Sequence, residues 1–169
     1  MEEGLRALAR GGPDSVRVEQ LAKSLGVTKG GFYWHFDDRV ALLDEMLDAW
    51  ERVGVDDVVA RVEAGGGDGR AKLRRLAGIT SGEGVKLDIA FREWALRDRK
   101  AARRMKRVDN RRMEYLRSLF AEFCASPNEL EVRCLMMYSM WIGNSFIAAD
   151  HGTKTRADVV KGAVRLMLA

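Results

Sequence analysis

Apolar residues recur along this chain at intervals of three and four positions, and no alternation of apolar and polar residues reaches the length of a strand. Such spacing is typical of amphipathic α-helices that bury one face. The first helix is predicted at about Glu2–Arg10, where two glycines and Pro13 end it. The pattern as a whole predicts an all-α protein.

Further helices follow from the same spacing, and side chains that can cap a helix mark several of the starts. Asp37 or Asp38 caps the fourth helix, and Ser126 with Glu129 forms a capping box for a later one. A glycine-rich stretch at residues 65–69 breaks the chain. Helices are predicted at about Val18–Leu25, from Thr28 to Phe36, from Asp38 along a stripe of Leu43, Met46, Leu47, Trp50 and Val53, and at 71–77, 83–96, 101–124, 127–150 and 156–168.

Two short helices joined by a tight turn occupy about residues 17–36, and their composition fits a helix-turn-helix that reads DNA. Small Ala22 allows close packing of the first helix, and Gly26 supplies the positive φ that ends it. We expect Val27 to fill the core below the turn and Thr28 to cap the second helix. The three amides that follow Thr28 would then lie free at a positive helix end, which suits a phosphate.

The second of these helices separates its aromatic side chains by face. Phe32 and Phe36, four residues apart, are predicted to anchor it to the core. Tyr33, Trp34 and His35 cannot all share that face, and exposed aromatic side chains indicate a partner. Two consecutive glycines cost about 1 kcal/mol each in helix propensity, and close approach of the backbone to DNA is one reason to keep them. The alternative is an aromatic core cluster without a partner.

The segment VRVEQLAKSLGVTKGGFYWHFDDRVALLDEML resembles the DNA-binding domain of the TetR-type bacterial transcriptional regulators. Its signature elements stand in the family's order and spacing: Leu21-Ala22, Gly26-Val27-Thr28, Tyr33-Trp34-His35-Phe36, and Arg39 before Leu42-Leu43. The resemblance covers about residues 5–47. It implies an all-helical homodimer with a helix-turn-helix DNA-binding domain at 1–47, whose first helix is short for the family. A helical ligand-sensing and dimerisation domain at 48–169 would follow.

The resemblance also implies roles for individual residues on DNA. Positions that hold phosphates in the family are matched by Thr28, Tyr33, His35 and Arg39. Positions that face the groove are matched by Lys29, Gly30, Gly31 and Trp34. Arg17 replaces the usual Ser or Thr, so the cap of its helix is lost or moves to Ser15, and Arg17 is a further candidate for phosphate contact. The partner would be a double-stranded, near-palindromic operator.

The C-terminal helices carry candidate ligand and dimer residues. On helices that surround the cavity in family members lie Phe91, Trp94, Tyr115, Met137, Tyr138, Trp141 and Asn144, which would suit a mostly hydrophobic small-molecule effector. Each of the aromatic and methionine side chains among them also fits a plain core position. The last two helices are apolar on more than one face, so a second copy of the chain is expected to cover Met136, Met140, Gly143, Ile147, Val160, Ala163, Val164 and Met167.

The charges of the chain are unevenly distributed. The net charge is +4, yet the first fifty residues hold six basic and nine acidic groups, so bulk charge there does not argue for DNA binding. Residues 97–117 hold ten basic and three acidic groups. We expect this run to be a solvated face, with internal ion pairs among Arg92, Asp98, Asp109 and Arg112, although added contact with DNA is an alternative.

Composition excludes several other classes of protein. A chain of 169 residues with 47% hydrophobic and 32% charged residues is typical of a globular protein with one domain or two small ones. No apolar run is long enough for a membrane span, and two cysteines in one helical region favour a reducing cytoplasm. No metal or cofactor is expected. The sequence shows neither a nucleophile paired with a base nor a phosphate loop, so an enzyme is not expected. A helical protein–protein adaptor is then the alternative to a DNA-binding repressor that is released by its ligand.

Overall fold

The computed structural model describes residues 1–79 and 83–169, and all regular structure in this part of the chain is helical. The all-α prediction is confirmed. No helix among the described residues is long and apolar enough to cross a bilayer. The α-helices are α1 (Glu2–Gly11), α2 (Val18–Ser24), α3 (Lys29–Tyr33), α4 (Arg39–Glu51), α5 (Asp57–Ala64), α6 (Gly69–Ile79), α7 (Glu83–Ala95), α8 (Arg99–Phe120), α9 (Pro127–Gly143) and α10 (Arg156–Met167).

The chain divides into two compact units, each with its own apolar core. The first unit contains residues 1–57, α7 and the part of α8 that ends at Asp109. Its core contains side chains from each of the helices α1, α2, α3, α4 and α7, and it includes the fully buried Leu8, Met46 and Phe91. The DNA-binding domain predicted for residues 1–47 lies wholly inside this unit. The second unit contains α5, α6, the rest of α8, α9 and α10, and its core includes Leu73, Phe120 and Cys134.

Local capping explains where several helices begin. The Asp38 carboxylate accepts a 2.7 Å hydrogen bond from the amide of Ala41, so Asp38 rather than Asp37 caps α4. Ser126 caps α9 by accepting from the amide of Glu129 at 3.2 Å, and the Glu129 carboxylate accepts from the amide of Ala125 at 2.9 Å. The amide of Ala125, together with the guanidinium of Arg133, lowers the pKa of Glu129. The predicted capping box is confirmed.

A π-helical segment, Arg52–Asp56, separates α4 from α5 and corrects the predicted stripe. A π turn holds an extra residue, so the faces of the helix rotate beyond it. Val55 is therefore buried at 4% exposure, whereas Val53, which was expected to continue the stripe, is 50% exposed. The periodicity of α4 up to Trp50 predicts its buried side correctly, because the α-helical spacing holds as far as Glu51.

Helix α9 ends at Gly143 and not near residue 150, as the sequence predicted. Beyond Asn144 the chain leaves the helix, and Gly152, with φ +62°, lies in a later turn and not at the helix end. The guanidinium of Arg156 donates to the carbonyl oxygens of Asn144 at 2.9 Å and Ala149 at 3.1 Å. The bond to Asn144 satisfies a backbone acceptor that a longer helix would have satisfied internally, so Arg156, at the start of α10, stabilises the early end of α9.

The basic run at 97–117 is in part the expected solvated face: Arg97, Arg99, Arg103 and Lys106 are exposed, whereas three of the ten cations form ion pairs with α4 inside the first unit. Three ion pairs join α4 to α8, and in each of them the two residues are 56 positions apart in the sequence: Asp44–Lys100, Asp48–Arg104 and Glu51–Arg107. We call these pairs the α4–α8 ladder. A constant separation means that the paired stretches of the two helices run side by side in the same direction. The predicted internal pair of Arg92 with Asp109 is confirmed at 2.8 Å, and Asp98 instead caps α8.

Candidate nucleic-acid interface

Helices α2 and α3 and the turn between them form a helix-turn-helix. Gly26 has φ +67°, as its place in the turn requires, and a residue with a Cβ would be strained there. The Thr28 hydroxyl accepts a 3.0 Å hydrogen bond from the amide of Gly31, so the predicted cap is confirmed. This bond also occupies one of the three amides that were expected to be free. Val27 does not fill the core, because it is 47% exposed.

The side chains of α3 divide between an anchored face and an exposed face. Phe32 is 5% exposed, and its ring lies 5.2 Å from that of Phe36, as the spacing predicted. Tyr33 packs edge-on against Phe32 at 5.7 Å between ring centres but stays 44% exposed. Trp34 is 87% exposed, and His35 is exposed beside it. The aromatic segment is thus a core cluster at two positions and an open surface at the three between them.

The two glycines of α3 have no role inside the described part of the chain. Both are exposed and neither has a positive φ. A Cβ built on Gly30 would meet the Thr28 hydroxyl at 3.9 Å, and one on Gly31 would meet it at 3.4 Å, which are ordinary contacts. Packing within this part of the protein therefore does not require glycine at either position, although glycine weakens a helix by about 1 kcal/mol.

Two of the predicted DNA-contacting cations are already engaged within the domain. The Lys29 ammonium lies 2.8 Å from the Glu19 carboxylate, and this hydrogen-bonded pair raises the pKa of Lys29 and lowers that of Glu19. Arg39 donates to the backbone oxygen of Val16 at 2.9 Å and to that of Pro13, so it ties the start of α4 to the turn after α1. A local pattern cannot identify Glu19, because it lies ten residues from Lys29 on another helix.

Arg17 stands at the N-cap of α2 and provides no cap with its side chain. Its guanidinium reaches the carbonyl of Asp14 at 3.4 Å and is exposed. Of the two alternatives for the start of α2, a lost cap or a cap moved to Ser15, the lost cap therefore describes the structure. Arg17 lies on the same helix-turn-helix as the residues of α3 and remains a candidate for phosphate contact.

The residues suggested for the ligand pocket fall into both units. In the first unit Phe91 and Trp94 belong to the apolar core, where Phe91 stacks on Trp50 with 4.5 Å between ring centres and on Trp94 with 5.8 Å. These two side chains therefore lie in a stack of three aromatic rings inside the core, which agrees with the alternative that they are plain core residues.

The other five pocket candidates lie in the second unit: Tyr115 on α8, three residues on α9 (Met137, Tyr138 and Trp141), and Asn144 at the end of α9. Tyr115 donates to the Glu63 carboxylate at 2.8 Å, and burial together with this bond raises the pKa of Tyr115. Arg112 lies over the Trp141 ring at 5.0 Å and reaches the Tyr138 hydroxyl at 3.5 Å, while Met137 is buried. The Asn144 side-chain oxygen is 3.4 Å from Arg156, so the polar partner that its amide was expected to need is internal.

The residues suggested for the dimer contact separate by burial. Val164 and Met167 are 7% exposed and belong to the core of the second unit. Met136 and Ile147 are 52% and 53% exposed. Intermediate exposure is found for Met140, Gly143, Val160 and Ala163. Further apolar side chains that sequence reasoning did not select are exposed on α9 and α10: Val132, Leu135 and Leu166.

Sequence comparison places the helix-turn-helix in a known family. Residues 1–46 match the model of the bacterial regulatory proteins of the tetR family. Over 51 residues the chain is 37% identical to the HTH-type transcriptional regulator AcrR of Shigella flexneri. Residues 1–46 are therefore similar to the DNA-binding region of TetR-family regulators. The matched stretch is 30% of this chain and spans only 22% of the length of that relative.

Solved structures resemble this chain over nearly its whole length. A putative TetR-family transcriptional regulator from Rhodococcus sp. has a TM-score of 0.72 and 19% identity, with 99% of this chain and 95% of that chain covered. A TetR/AcrR-family regulator from Thermobifida fusca has a TM-score of 0.64 and 16% identity at the same coverage. Mycobacterium smegmatis AmtR has a TM-score of 0.56 and 20% identity, covering 99% and 86%. At this identity the likeness concerns the fold.

Proposed function

We propose that this chain is a sequence-specific DNA-binding transcriptional regulator of the TetR type that reads its operator with α3. The observation that carries the proposal is the open face of α3, where two glycines without an internal role stand beside a tryptophan that is 87% exposed. An exposed indole and a bare backbone on a helix of five residues suit insertion into the major groove, where base edges are read.

Selection from a library of random duplexes tests this role. The protein should enrich a near-palindrome whose half-sites lie about 34 Å apart or a multiple of that distance, as a two-fold helix-turn-helix dimer requires. Trp34→Ala should change the preferred sequence, because base contacts specify, whereas Tyr33→Phe should weaken binding to all duplexes alike, because phosphate contacts do not. If no sequence is enriched, the proposal is wrong.

Homodimerisation is the second part of the proposal. The exposed apolar side chains of α9 and α10 support it, since a second copy of the chain would bury them. Leu135 is 60% exposed, so Leu135→Glu should leave the fold intact and produce monomers in sedimentation at micromolar concentration. Val159→Glu, at a half-buried position of α10, provides a comparison. A wild-type protein that sediments as a monomer would refute this part.

Repression relieved by a small, mostly hydrophobic ligand is the third part, and it rests on family resemblance together with the aromatic side chains of the pocket set. A ligand releases DNA only by binding the released conformation more tightly, with a coupling of roughly 1–3 kcal/mol in typical cases. Asn144→Ala should weaken the ligand response and leave DNA affinity nearly unchanged, whereas Trp94→Ala removes a core ring of the first unit and should lower its stability. If Asn144→Ala lowers DNA affinity and melting temperature together, Asn144 is structural and the pocket is withdrawn.

A protein–protein adaptor is the competing function, and the exposed indole of Trp34 would suit it as well. The salt dependence of binding distinguishes the two functions. Binding to DNA should weaken steeply as ionic strength rises, whereas an apolar contact with a protein should not.

A further inference from the structure

Four cations at the beginning of α8 and just before it remain exposed after the α4–α8 ladder is formed. They are Arg97, Arg99, Arg103 and Lys106. None of them forms an ion pair within the part of the chain that the structure describes. Their neighbours Lys100, Arg104 and Arg107 neutralise the acidic side of α4, so the second face of α8 keeps its positive charge.

The ladder fixes where these cations lie along α4. Because paired residues are separated by 56 positions, Arg99 is level with Leu43, one turn from the start of α4. At 1.5 Å of rise per residue, Arg99 is about 6 Å from the level of Arg39, and Lys106 is about 17 Å from it. Arg97 precedes Asp98, the cap of α8, at the same end. The start of α4 directly follows α3, so Arg97 and Arg99 lie at the end of the first unit that carries the DNA-reading helix.

The helix-turn-helix itself is poor in available positive charge. Residues 1–50 carry six basic and nine acidic side chains. Within that set Lys29 is paired with Glu19, and Arg39 is bound to backbone oxygens. Arg17 is exposed and remains a candidate for phosphate contact. Because phosphate contacts supply a large share of the affinity of proteins for duplex DNA, cations from another element would strengthen binding beside α3.

We propose that Arg97 and Arg99 bind backbone phosphates of the duplex on which α3 is seated, next to the base pairs that α3 reads. The two guanidiniums would add affinity without sequence preference, as phosphate contacts do. Lys106 lies about 11 Å further along α8, at seven residues of 1.5 Å, and is too distant to share the contact. This inference rests on the proposed function, because it requires that the chain binds DNA through α3.

The test uses the full chain and a duplex that the wild-type protein has selected from a random library. The variant Arg97→Gln with Arg99→Gln is compared with Lys106→Gln, which removes the same type of charge from the same helix. Each phosphate contact contributes about 0.9 to the slope of log affinity against log salt, so the double variant should lose about 2 from that slope. If wild type and double variant bind equally at 1 M salt, this difference in slope corresponds to roughly 60-fold weaker binding of the double variant at 0.1 M salt. Lys106→Gln should leave the slope unchanged.

Ethylation of single phosphates locates the contact. With the wild-type protein, ethylated phosphates outside those contacted by α3 should interfere with binding, and the double variant should lose this interference alone. Equal slopes and equal interference patterns for wild type and double variant would overturn the inference while leaving the proposed function intact. Failure of the wild-type protein to select any duplex would refute the proposed function instead. If the double variant loses binding only to phosphatidylglycerol vesicles and not to DNA, the cations serve a membrane and the inference is wrong.

Discussion

The glycines of α3 allow a test in which folding and function respond in opposite directions. Replacing Gly30 or Gly31 by Ala adds a methyl group that meets ordinary contacts, at 3.9 Å and 3.4 Å from the Thr28 hydroxyl. The substitution should therefore raise the free energy of unfolding by about 0.5–1 kcal/mol at each site, because Ala is the better helix former. For a chain of this size such a gain corresponds to a melting temperature roughly 1–4 °C higher. Binding to the selected duplex should weaken by tenfold or more, about 1.4 kcal/mol, since the methyl group separates backbone and DNA.

The assay combines thermal unfolding, followed by circular dichroism, with titration of a labelled duplex. Gly26→Ala is the first control: with φ +67° it should lower the melting temperature. Gly78→Ala, in α6, is the second: a Cβ there has no neighbour within 4 Å, so stability should rise while DNA binding stays the same. The reasoning is refuted if either substitution in α3 lowers stability, which would show an internal role for the glycine. It is also refuted if both variants bind the duplex as wild type does.

Three further predictions concern the two cores and the ladder. Cys134 is fully buried and its pKa is raised to about 11 by burial, so iodoacetamide at pH 8 should label Cys124 and spare Cys134 in the folded protein; equal labelling would contradict this. Glu51→Gln should cost about 2 kcal/mol in urea unfolding, because two guanidiniums lose a buried carboxylate, while Asp48→Asn, at an exposed carboxylate, should cost less than about 1 kcal/mol; similar losses would refute the distinction. Phe91→Ala should cost about 3–5 kcal/mol by removing the centre of the aromatic stack, and a smaller loss would show that the neighbouring side chains repack into the space.

Features that depend on residues within one or two helical turns could be predicted from the sequence. The caps at Thr28 and Ser126, the turn at Gly26 and the packed pair of Phe32 and Phe36 are of this kind. Each arises from a hydrogen bond, a φ value or a side-chain spacing that involves only near neighbours. The same local order of residues is what the family model matched by residues 1–46 contains, so this resemblance was also accessible from the sequence.

Features that depend on how helices dock were decided by the tertiary structure alone. The basic run of α8 gives no sign of which cations find acids, because their partners on α4 stand 56 residues away and face α8 only after packing. Lys29 and Arg39, both assigned to DNA by their motif, are held by Glu19 and by backbone oxygens of the turn after α1. Helix α9 ends early, and Arg156 satisfies the carbonyl of Asn144 at that end. Periodicity and capping act over about four residues, whereas charge pairing acts over distances in space, and only the folded chain sets those distances.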